Sequence, residues 1–146
     1  LAWCYGGLGL AATFRNAIAL DDSNLARLQH MARCCLSQYR SNHHRIVDAS
    51  LCHGHAGAAL TFQHISRTPG LDKELALELC RISQQSAAAI LASEANRNGQ
   101  SVFLHWSRNR QIPSHTFLEG GAGIALTSAA LASERTPQWM NLLAYY

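Results

Sequence analysis

Three segments of the chain superimpose without a gap: Cys4-Tyr5-Gly6-Gly7-Leu8-Gly9-Leu10-Ala11-Ala12-Thr13, Cys52-His53-Gly54-His55-Ala56-Gly57-Ala58-Ala59-Leu60-Thr61 and Leu118-Glu119-Gly120-Gly121-Ala122-Gly123-Ile124-Ala125-Leu126-Thr127. They share a Gly-x-(Leu/Ala)-Gly frame, then small and apolar residues, then a threonine. Their starts, at positions 4, 52 and 118, are spaced like helical hairpins with loops of unequal length. Such a repeat constrains the fold strongly, because each unit must bury its apolar face against its neighbours. Glycines at a helix entrance allow close backbone approach, and small residues beyond them let helices pack tightly. The segments are therefore predicted to open three buried inner helices, the first from Leu8 to Leu20 and the second from Ala56 to Ile65.

Each inner run ends at a polar break: 21–24, 66–70 and 133–137. Between the breaks the rhythm is amphipathic. From Ser23, the residues Leu25, Leu28, Ala32, Cys35, Leu36 and Tyr39 recur at helical steps, with Ser23 or Asp22 as the expected cap. A longer helix of the same kind is predicted from Leu71 to Ala95, with Leu75, Leu79, Ile82, Ser86 and Ile90 on one side. A last one starts at Pro137, with Thr136 as cap and Trp139, Leu142 and Leu143 as its apolar residues. Residues 96–101 read as a polar turn, and Val102–Trp106 as a short apolar stretch compatible with extended chain. Alternating inner and outer helices without a strong strand signal predict an all-α architecture of ring-arranged or stacked hairpins, with a linear solenoid as the structural alternative.

At 146 residues with 48% apolar content the chain has room for one domain and a real core. A net charge of +3, with arginines scattered singly, argues against a nucleic-acid partner. Charged or polar residues interrupt every hydrophobic run, so neither a membrane-spanning helix nor a signal peptide is expected. The odd count of five cysteines favours reduced thiols, and hence the cytoplasm, over a disulfide framework. Cys34, Cys35 and Cys80 fall in the outer-helix segments and are predicted to pack in the core.

Cys4 and Cys52 occupy one repeat position, just ahead of a helix entrance, and His53 follows the second. Two thiols and an imidazole from two similar loops are what a zinc ion with one open coordination position requires. Ordinary packing of the same side chains is the competing reading, and spacing alone does not choose between them. The helix N-terminus is expected to favour Cys52 as thiolate. Tyr5 is placed to touch a substrate or act as an acid, or else to pack and orient the loop. His55 is expected at the surface or behind a ligand, and Glu119 as a helix-start residue favoured by the dipole.

The Trp-Cys-Tyr-Gly of 3–6, the Leu-Cys-His-Gly-x-Ala-Gly of 51–57, the Phe-Leu-Glu-Gly-x-Ala-Gly of 117–123 and Trp139 after them form an ordered set over nearly the whole chain. The set resembles the C-terminal part of the lanthionine synthetase C-like proteins, the LanC cyclases of lantibiotic biosynthesis. That resemblance implies an α/α toroid, a double ring of helical hairpins. Residues 1–146 would then be the C-terminal portion of one such domain, because the three hairpin units readable here cannot close a ring.

The resemblance also implies that Cys4, Cys52 and His53 bind Zn2+. It implies a Michael-type addition of a peptide cysteine to dehydroalanine or dehydrobutyrine, giving a thioether. The implied partners are a dehydrated precursor peptide, together with a dehydratase and an exporter. The family's further catalytic His, Asp and Arg precede its Trp-Cys-Tyr-Gly motif, so no residue of this chain takes their place. Tyrosine after the first ligand, rather than histidine, leans toward a stand-alone cyclase. Two other functions fit the same residues: a module that holds glutathione or a partner's thiol through zinc without cyclisation, and a helical scaffold whose cysteines only pack.

Overall fold

The computed structural model describes residues 1–21, 23–107, 109–133 and 137–143. Its elements are, in order, α1 (Gly7–Asn16), a 3-10 turn (Ile18–Leu20), α2 (Ser23–Arg40), α3 (His55–Ser66), α4 (Lys73–Ala92), β1 (Glu94–Arg97), β2 (Gln100–Ser107), β3 (Arg110–Pro113), α5 (Gly121–Ala132) and a 3-10 helix (Gln138–Leu143). The molecule is mostly helical, with α1, α3 and α5 side by side as an inner row. Outside that row, α2 packs on α1 and α4 packs on α3, and the two outer helices touch each other.

The outer helices form as their periodicity predicts. Leu28, Ala32, Cys35 and Leu36 of α2, and Leu75, Leu79, Ile82, Ser86 and Ile90 of α4, are all buried. All of these but Ser86 and Ile90 interlock with Leu8, Phe62 and Ile65 in the main core between the two layers. The α4 cap is Asp72, whose carboxylate accepts the Leu75 N–H at 2.8 Å. The cap expected at Ser23 is different: Ser23 is the first helical residue, and its N–H and hydroxyl both donate to the Asp21 carboxylate, at 2.8 and 2.6 Å. The caps expected at Asp22 and Thr136 lie outside the described residues.

The inner row needs a correction. In α3, sandwiched between α1, α4 and α5, the residues from Ala56 to Phe62 are buried without a break. The flanking helices bury only one side each: Leu8, Ala11 and Ala12 in α1, and Gly123, Ile124, Thr127 and Ala130 in α5. The first inner helix also stops at Asn16 and tightens into the 3-10 turn rather than running on to Leu20. The segment after Pro137 is 3-10, not α; it buries Met140 and Leu143 and sets Trp139 edge-on to Phe117, ring centroids 5.7 Å apart.

A three-stranded antiparallel sheet, order β1-β2-β3, qualifies the all-α expectation. It begins where α4 was expected to continue. The first hairpin turns through Asn98 and Gly99, both at positive φ (54° and 78°), between the paired residues Arg97 and Gln100. Asn-Gly with two positive φ angles matches the right-handed twist of paired strands, so this dipeptide makes the tight turn. Phe103 of β2 packs on Ala49, Ala56, Ile90 and Ile124, fastening the sheet to α3, α4 and α5. No described helix is long and apolar enough to cross a membrane.

Candidate metal centre

The three repeat segments fold into three copies of one helix entrance. Gly6, Gly54 and Gly120 are all extended N-caps, and each donates its N–H to the carbonyl four residues back: Ala2, Ser50 and Thr116, at 3.1, 3.0 and 3.1 Å. One turn further on, a Cβ on Gly9, Gly57 or Gly123 would overlap the carbonyl oxygen of Trp3, Leu51 or Phe117. The glycine frame is thus a requirement of backbone crossing, repeated three times.

Backbone hydrogen bonds join these entrances in series. Trp3 N–H donates to the Cys52 carbonyl at 3.2 Å, and Cys52 N–H donates to the Leu118 carbonyl at 2.9 Å. The positions carrying Cys4, Cys52 and Leu118 therefore meet at one end of the inner row. There the Cys52 thiol donates to the Cys4 sulfur at 2.8 Å, and the Cys4 thiol lies 3.4 Å from the Cys52 carbonyl oxygen. Both cysteines are free thiols, Cys4 exposed and Cys52 half-buried.

His53, half-buried, sets its Nε2 3.4 Å from Oδ2 of Asp48, a carboxylate with no solvent exposure. Asp48 is fixed from both sides: Oδ1 accepts the Ser50 N–H at 2.9 Å, and Oδ2 accepts the Trp106 N–H of β2 at 3.1 Å. On the third edge, Glu119 lies 3.5 Å from Nε2 of His105, a buried side chain of β2. An open groove of about 660 Å³ runs beside Cys4, lined by Trp3, Tyr5, Leu10, Thr13 and Leu143. Tyr5 is 81% exposed there.

Burial and neighbouring groups act together on the Cys52 thiol. The Cys52 thiol is pushed up to about 12, first by burial, then by its contact with Cys4 and by the Glu119 and Asp48 carboxylates. Burial leads these causes, so the metal-free thiol holds its proton more tightly than an ordinary cysteine. Two thiols, an imidazole and two nearby carboxylates make a donor-rich, electronegative site whose chemistry suits a soft or borderline divalent cation. Among the described residues, no group of three His, Cys, Asp or Glu side chains stands in a coordinating cluster.

Other predicted residues are spread out. His55 opens α3, donating its N–H to the Asp48 carbonyl at 2.9 Å, and its ring stands edge-to-face with His44 at 6.3 Å. Burial, then His44, lowers its pKa. Cys35 packs in the core, with its thiol pushed up to about 12 by burial. Cys34 and Cys80 are only half-buried, Cys34 standing 3.8 Å from His30 on the outer face of α2, so core packing holds for one of the three.

Asp48, His105 and the Trp106 amide are site components that the motif frame did not single out. Asp48 carried a local signal, since Asp-x-Ser ahead of a glycine turn is an Asx-turn pattern. His105 falls in the apolar stretch read as compatible with extended chain, which forms β2. The family described as lanthionine synthetase C-like protein matches residues 1–144. No curated protein and no solved structure matches the chain.

Proposed function

Because the chain belongs to the lanthionine synthetase C-like family, we propose that it carries the zinc site of a thioether-forming cyclase, with Cys4, Cys52 and His53 as protein ligands. The observation that supports this most is the meeting of two thiols from equivalent repeat positions at 2.8 Å, with His53 next in sequence to one of them. The α1–α2 and α3–α4 hairpins and α5 would be successive units of an α/α toroid, their loop ends facing the substrate.

In the proposed reaction a cysteine of the substrate peptide gives up its S–H proton. Its sulfur bonds to Cβ of a dehydroalanine or dehydrobutyrine in the same peptide, and a proton is delivered to Cα. Electrons balance without an oxidant or reductant. Zn2+, when bound, would supply the Lewis acidity that makes the incoming thiol a nucleophile at neutral pH. The Asp48 and Glu119 carboxylates keep this end of the inner row negative and so favour a cation. The groove beside Cys4 admits an extended peptide, and Tyr5, exposed in it, is the proposed contact for that peptide and the proposed donor to Cα.

The test has two arms on the purified protein. Zinc is expected at one equivalent and is expected to be lost in Cys4→Ala and Cys52→Ala; protein that takes up no zinc sinks the reading. Incubation with a dehydrated precursor peptide should remove its free thiols from alkylation without changing its mass. A zinc-loaded protein that retains the thiol-bearing peptide uncyclised would instead be a binding module.

A further inference from the structure

We propose that Asp48 is the positioning residue of this site: it holds His53 by Nε2, so that Nδ1 is the nitrogen offered to the metal. The inference rests on the zinc reading above and adds a residue to it.

The turn before α5 shows what Asp48 does beyond shaping its own turn. Ser114 stands at the equivalent position, four residues ahead of Leu118 as Asp48 is ahead of Cys52. The Ser114 carbonyl accepts the Gly121 N–H at 2.9 Å, as the Asp48 carbonyl accepts the His55 N–H at 2.9 Å. Ser114 Oγ accepts the Thr116 N–H at 3.3 Å, as Asp48 Oδ1 accepts the Ser50 N–H at 2.9 Å. One side-chain oxygen is therefore enough to build the turn, and serine supplies it where no thiol–imidazole pair follows.

Aspartate brings a second oxygen, and that oxygen faces the site. Oδ2 takes the Trp106 N–H at 3.1 Å and stands 3.4 Å from His53 Nε2. A buried carboxylate is costly unless it is paired and hydrogen-bonded, so this one persists because both oxygens are occupied. Gripped by backbone donors from its own loop and from β2, it cannot swing away from the ring. Nε2 is therefore the His53 nitrogen set against the carboxylate, and Nδ1 is the one left for another partner. A histidine that binds a metal through one nitrogen while giving the other N–H to a carboxylate is held in orientation and made more basic.

The experiment uses Asp48→Ser, which by the Ser114 comparison keeps the turn and deletes Oδ2. Competition against a chromophoric chelator should show zinc affinity lower by about 10- to 100-fold, with the circular dichroism of the metal-free protein unchanged. Histidine-selective ¹⁵N spectra of the wild type should place the His53 proton on Nε2, with Nδ1 taking the shift on zinc addition.

Wild-type zinc affinity in a folded Asp48→Ser overturns the proposal, as does ligation through Nε2. Should the variant fail to fold, the wild-type ¹⁵N spectra decide alone. A wild type that binds no zinc overturns the zinc reading itself and this inference with it, whereas the other adverse outcomes leave the zinc reading standing.

Discussion

The loop that opens α3 and the loop that opens α5 run through the same turns. Gly54 and Gly120 are extended at φ −101°, ψ −169° and φ −134°, ψ −169°, and Gly57 and Gly123 each press against a carbonyl six residues earlier. On that common backbone the first loop carries Asp48, Leu51, Cys52 and His53, and the second Ser114, Phe117, Leu118 and Glu119. The difference separates two jobs that a motif merges. Glycines and turn residues make the helix entrance, whereas the side chains at the two positions before the capping glycine decide what the entrance does.

The largest effect expected from that division is on metal binding. Under the zinc reading, Cys52→Ala removes one of three protein ligands and should lower zinc affinity on the order of 1000-fold or more, while Leu118→Ala at the matching position leaves it unchanged. Equal effects of the two substitutions, read by chelator competition, would break the contrast.

Next come the glycines, where the two loops should behave alike. Gly57→Ala and Gly123→Ala each force a Cβ into a backbone carbonyl, and each should destabilise by about 3 kcal/mol or more, measured by thermal unfolding in circular dichroism. If Gly123→Ala unfolds at the wild-type temperature, the structural equivalence fails. Between the glycine frame and the site lie Leu51 and Phe117. Leu51 is fully buried and Phe117 only partly so, so Leu51→Ala should cost about 3 kcal/mol and Phe117→Ala less.

What the sequence made legible follows the same division. The repeat frame and the apolar faces of α2 and α4 were readable because glycine spacing and helical periodicity are local. The approach of Cys4 to Cys52 was readable through their shared register. The degree to which α1 and α5 stay exposed was not, because an Ala- and Leu-rich run has no polar face to mark which side lacks a neighbour. The sheet was missed although Asn98-Gly99 is a strong hairpin signal, because its strands are short and carry no regular alternation. The raised Cys52 pKa was out of reach as well: Glu119 arrives from another loop, and Asp48 is turned inward by contacts that only the fold creates.

The last predicted effect concerns pH, and it again sets α3 against α5. His64 of α3 and Ala130 of α5 hold the same repeat position, and both are buried. Burial, then Arg15 and Arg67, lowers the His64 pKa to about 3. An unfolded histidine titrates near 6.5, so on acidification the unfolded chain takes up the proton first. The stabilisation linked to neutral His64 is therefore complete above about pH 6.5 and is lost as the pH falls toward the folded value. Its slope approaches about 1.4 kcal/mol per pH unit, so about 1 kcal/mol should disappear between roughly pH 6.5 and 5.5. His64→Ala gives α3 the residue of α5 at this position and should remove that part of the slope from denaturant midpoints measured between about pH 4 and 8. A midpoint that falls equally steeply with acid in the variant would assign the dependence to other groups. His44 and His55, whose pKa values burial also lowers, would be the next to replace.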